Sequence, residues 1–114
     1  MALPPLYKQI QAAIQEFPRA NPVADPPTLT QQALTTWLGQ IPATLAELPP
    51  MVRACGVEIH KHLHLLHQEL LLWQAARQTD TKARRWQQLQ QRLITLETYL
   101  QTLRQLLLEQ QGEG

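Results

Sequence analysis

Two runs of apolar residues, each stepping by alternating threes and fours, constrain the fold of this 114-residue chain more than any other feature. The first comprises Val52, Gly56, Ile59, Leu63, Leu66, Leu70 and Trp73. The second comprises Trp86, Leu89, Leu93, Leu96, Leu100, Leu103 and Leu107. This spacing lines up one stripe on an α-helix and makes the seam by which two helices pack. Between the runs lies "RQTDTKAR", where the apolar rhythm lapses and Thr79 or Asp80 can cap a new helix. Two long helices with a short connection are antiparallel neighbours, so facing residues have a constant number sum. A sum of 159 sets Trp73 against Trp86, Leu66 against Leu93, Ile59 against Leu100 and Val52 against Leu107. A hairpin with arms at about 50–78 and 80–110 is therefore expected.

The nine prolines all fall between Pro4 and Pro50, so only the N-terminal half is punctuated. Pro4 and Pro5 suit a helical first turn, where a missing N–H is no loss. Leu6, Ile10, Ala13, Ile14 and Phe17 follow at helical spacing until Pro18, predicting a helix over 5–17. "PRANPVADPP" (18–27) reads as an extended linker, because residues before proline avoid the α region. A second helix is expected over 28–48, capped by Asp25 or Thr28, with Leu29, Ala33, Trp37 and Leu38 as its apolar face. Gly39 and Pro42 are expected to end or kink it, with a short extra turn over Thr44 to Leu48. The first long helix also carries Leu65, Leu71 and Leu72 outside its seam. A helix apolar on two sides lies between layers, so the N-terminal helices should cover it. A symmetric partner chain, with Leu65 and Leu72 in a homodimer, is the alternative cover. The fold class is thus all-α: one helical-bundle domain on a long antiparallel hairpin with two shorter N-terminal helices.

Composition excludes several function classes. The formal charge of +1 gives no global argument for nucleic acid or an anionic membrane. The longest apolar run, Leu70 to Trp73, is far short of the ~20 residues that span a bilayer. Met-Ala-Leu-Pro-Pro lacks a basic region followed by an apolar stretch, so a cytoplasmic location is expected. The single cysteine, Cys55, excludes an internal disulfide and a Cys-based zinc cluster, and is expected as a small buried thiol.

"EIHKHLHLLHQELLLW" (58–73) holds four histidines. At about 100° per residue, His60, His64 and His67 share a stripe roughly 60° wide that flanks the seam, while His62 sits elsewhere, near a seam edge. An i, i+4 pair can hold zinc, nickel or copper, with His67 as a third ligand. Neither Glu58 nor Glu69 is placed to orient those rings, and no Glu-x-x-His or His-Glu-x-x-His appears. Metal binding, pH response and plain surface decoration all remain open for this stripe. No nucleophile–base pattern or Gly-rich phosphate loop stands out, so no enzyme and no cofactor are expected. At the hairpin tip Arg77, Lys82, Arg84 and Arg85 surround a single acid, Asp80. With Trp73 and Trp86 beside them, they are the candidate contact for an acidic segment of a protein partner.

The stretch Leu65 to Tyr99, under a third of the chain, resembles the core of the cyanobacterial PatD proteins, the heterocyst frequency control family. The matching pattern is a Leu-Leu pair (Leu65, Leu66), an acid (Glu69), Trp73, and Ala76-Arg77-Gln78. Thr81 in the turn, Arg85, and Leu93, Leu96 and Tyr99 in the last helix complete it. The histidine run and the Pro-rich N-terminal half lie outside that pattern. The resemblance implies a small all-α regulator that binds the tubulin-like division protein FtsZ and modulates its assembly, linked to heterocyst differentiation in a filament that makes heterocysts.

Overall fold

A computed structural model describes residues 3–17 and 30–112 as four α-helices with no strand among them. Helix α1 is Pro5–Glu16, α2 is Gln31–Glu47, α3 is Arg53–Ala75 and α4 is Thr79–Gly112; a 3₁₀ turn, Pro50–Val52, leads into α3. The expected linker over 18–27 and the caps at Asp25 and Thr28 lie outside the described residues.

The hairpin of α3 and α4 is the spine of the molecule, which measures 54 × 24 × 21 Å. Every seam residue of α4 is buried, as are Val52, Gly56, Ile59, Leu63, Leu66 and Leu70 of the other seam; Trp73 is half-buried. The register is the expected one. Trp73 meets Trp86, and the pairs Glu69–Arg92, His62–Tyr99 and Met51–Gln110 each sum to within two of 159. The first arm is shorter than expected. Ala76 turns extended, its N–H bonding the Leu72 and Trp73 carbonyls, so α3 stops at Ala75. Thr79 and Asp80 are not the caps: Gln78 supplies the first carbonyl of α4, accepting from Lys82 N–H at 2.9 Å. Asp80 stands instead in the first turn, where a negative charge complements the helix dipole.

The N-terminal helices form the second layer. In α1 the expected face, Leu6, Ile10, Ala13, Ile14 and Phe17, is buried together with Tyr7. Helix α2 departs from expectation in three ways. Its cap is Thr30, whose hydroxyl accepts from Ala33 N–H at 3.1 Å. Its core side is Leu34, Trp37 and Ile41, with Ala33 and Leu38 only flanking it. It also runs unbroken through Gly39 and Pro42 to Glu47. Pro42 lies on the exposed side, so its ring does not disturb the packed one, and the buried Ile41 beside it anchors the helix. Leu48 turns extended ahead of Pro49, and Arg53 closes the end by donating to the Ala46 and Leu48 carbonyls at 3.2 and 3.1 Å.

Contacts at the two ends of the bundle fix the directions. Gln31 reaches Gln74 at 3.1 Å while Leu45 and Leu48 pack at Gly56, so α2 is antiparallel to α3. Tyr7 also lies at Gly56, and Phe17 stacks on Trp86, so α1 is antiparallel to α4. The result is an up-down-up-down bundle with one continuous core. This layer does not cover everything expected of it: Leu65 is half-buried, but Leu71 and Leu72 are 47% and 46% exposed. The end of α2 comes close to α3 at Gly56, where the missing side chain leaves room for Leu45 and Leu48.

Candidate functional site

The turn between α3 and α4 gathers the predicted tip residues. The Trp73 and Trp86 rings lie 5.1 Å apart at 45°, and Phe17, not foreseen from the sequence, stacks on Trp86 at 5.4 Å. Lys82 Nζ sits 4.9 Å from the centre of the Trp73 ring, a cation–π contact. Arg85 donates to Gln88 Oε1 at 3.3 Å along its own helix. Arg77 and Arg84 are exposed. The six residues named from the sequence therefore divide by role. Trp86 is buried in the core, because the same apolar ring that suits a partner also completes the seam. Trp73 and Lys82 are half-buried, and Arg77 and Arg84 remain the charges presented to solvent. The indole nitrogens of Trp73 and Trp86 are buried and bond no acceptor among the described residues.

The histidine stripe does not close into a ligand set. His60 and His64 approach, with ring centres 5.4 Å apart, and burial followed by the His64 charge lowers the His60 pKa. His67 does not join them, and among the described residues no group of three potential ligands assembles. The i, i+4 spacing brings two rings together, but nothing on α2 or α4 supplies a third donor.

His62, which falls outside that stripe, holds the denser network. Arg92 Nε donates to Glu69 Oε1 at 2.6 Å and its Nη1 donates to His62 Nδ1 at 2.7 Å. The other ring nitrogen, Nε2, lies 3.7 Å from Glu58 Oε2, and the ring stacks on Tyr99 at 5.2 Å. Two turns before His62 the Cys55 thiol donates to the Tyr99 carbonyl at 3.4 Å. Cys55 is half-buried rather than fully buried as expected, and burial, then Glu58, pushes its pKa up. The sequence did hold a signal for this cluster. His62 and Glu69 are a heptad apart, and the hairpin register sets Arg92 level with the stretch between them.

No protein family model, curated protein or solved structure matches the chain. Among the described residues no helix is long and apolar enough to cross a membrane.

Proposed function

We propose that this chain is a non-enzymatic regulatory protein that acts by binding another protein through the tip of its α3–α4 hairpin. The observation that carries this reading is the tip itself. Arg77, within the turn, and Arg84, near the start of α4, stand in solvent, and the face of the Trp73 indole at the same tip is already occupied by Lys82. A rigid aromatic knot behind exposed guanidinium groups suits an acidic segment, which Arg binds with directional, paired hydrogen bonds. The other surface features are less focused. Among the described residues the exposed large apolar side chains, Met51, Val57, Leu71, Leu72, Ile94 and Leu108, occur at several levels of the hairpin. The His62 imidazole and the Glu69 carboxylate are both engaged by Arg92 across the helix seam, which supports a structural rather than a catalytic use of these groups.

The tip falls inside the Leu65–Tyr99 stretch that resembles the PatD family, and this makes FtsZ the first partner to test. Pelleting of FtsZ polymers with and without the protein is the direct experiment. Co-sedimentation, or a change in polymer mass, is expected; the absence of both would remove FtsZ as the partner.

A further inference from the structure

We propose that His62, Arg92 and Glu69 form a proton-operated latch between α3 and α4, closed while the His62 imidazole is neutral and released when it takes up a proton. The guanidinium of Arg92 can only donate, and it stays charged throughout the accessible pH range. Its 2.7 Å approach to His62 Nδ1 therefore requires a lone pair on that nitrogen. The ring proton must then sit on Nε2, which faces Glu58 Oε2 at 3.7 Å. Protonation would place an N–H on Nδ1 directly against the N–H of Arg92, two donors and two cations at hydrogen-bond distance. That contact cannot persist. Arg92 stays on Glu69 through its short Nε bond, so His62 is the side that must leave. Leaving brings it nearer to Glu58 and breaks its stack on Tyr99.

The charges around the ring sharpen the effect. The charged and titratable groups that face His62 are Glu58, Lys61 and Glu69 on its own helix, and Arg92 and Tyr99 on α4. Lys61 and Arg92 offset Glu58 and Glu69, so the neutral ring completes a balanced set and a proton unbalances it. The His62 side chain is only 12% exposed, which leaves little water to screen the added charge. Burial, then Arg92 and Lys61, lower its pKa, against the opposing pull of the two glutamates. The sign follows by linkage. The folded pKa lies below the unfolded value of about 6.5, so the latch contributes fully above that value. Its contribution is lost as pH falls through the folded pKa. His60 shifts in the same direction and adds to the acid sensitivity, so the test must isolate His62.

The experiment is a nitrogen-15 NMR titration of the histidine rings in the full chain, paired with thermal melts of wild type and His62→Asn at about pH 8 and about pH 5. The Asn amide oxygen can accept from Arg92 near the Nδ1 position but does not titrate. The expected result is a His62 ring protonated on Nε2 at neutral pH that titrates below about 6.5. The acid-induced drop in melting temperature should also be about 2–5 °C smaller in His62→Asn. A ring that titrates at or above that value, or carries its neutral-form proton on Nδ1, would overturn the latch. So would an identical pH dependence in the two proteins. If His62→Asn does not fold, the ring titration of the wild type decides alone.

Discussion

Two glycines in helices should respond with opposite sign to the same substitution. Gly39 lies on the exposed side of α2, and a Cβ there would meet nothing within 4 Å. Gly56 is buried near the start of α3. A Cβ there would collide with Leu45 Cδ2, lie 3.0 Å from Leu48 Cδ1 and 3.4 Å from the Tyr7 hydroxyl. Alanine in place of glycine inside a helix is worth about 0.8–1 kcal/mol, through lower backbone entropy in the unfolded chain. Gly39→Ala should therefore stabilise the protein by close to that amount. Gly56→Ala receives a similar benefit but must also displace its neighbours. Leu45, the nearest, is half-buried and must swing its side chain aside, whereas Leu48, 1% exposed, has little room to give, and overpacking of this kind costs about 1–3 kcal/mol. The helix term nearly cancels in the difference between the variants, leaving the packing term of about 1–3 kcal/mol. Urea unfolding followed by circular dichroism measures it, provided the slope stays constant between variants. If Gly56→Ala gains as much as Gly39→Ala, the end of α2 does not close on α3 through Leu45 and Leu48, and its placement there is wrong.

Other consequences follow from burial. Leu96→Asp or Leu66→Asp puts an unpaired charge into a site with 0% exposure and should unfold the domain; retained helical dichroism with an unchanged melting point would refute it. Tyr7 is fully buried, and burial, with a smaller contribution from Cys55, raises its phenol to about 12. The unfolded phenol ionises near 10, so stability should fall by up to about 1.4 kcal/mol per pH unit as pH climbs between the two values. Alkaline melts of Tyr7→Phe, which removes the titrating hydroxyl, should show a smaller fall. Cys55, half-buried with its thiol on the Tyr99 carbonyl and its pKa raised, should react with a thiol reagent well below the rate of a free cysteine. An equal rate would contradict the close packing of α3 on α4 there.

The hairpin was legible because its information is periodic and local. Fourteen seam positions at alternating three- and four-residue steps define two helix faces, and a short connection leaves only one way to pair them. The second layer was less legible. The spacing of Leu34, Trp37 and Ile41 continues to Leu45 and Leu48, but Pro42 interrupts it as a helix breaker. Only the structure shows that this proline lies on the solvent side, where tertiary packing carries the helix past it. The exposure of Leu71 and Leu72 likewise depends on which flank α2 packs against, a tertiary choice that spacing along α3 does not encode. At the candidate site, the tip residues were legible as a group because they adjoin one turn. Their division into buried Trp86 and exposed Arg77 and Arg84 was not, since charge and aromaticity say nothing about depth. The histidines misled for a related reason. Spacing along one helix singled out His60, His64 and His67, whereas His62 draws its partner, Arg92, from the other helix.

The hairpin tip is the proposed contact for a partner. Equilibrium binding of FtsZ by wild type and by the double variant Arg77→Glu/Arg84→Glu, at low and at raised salt, tests it most directly. Both arginines are exposed, so the variant should melt like wild type while its affinity falls at least about tenfold, and wild-type binding should weaken as salt is raised. Binding that is unchanged in the double variant and indifferent to salt would contradict the claim.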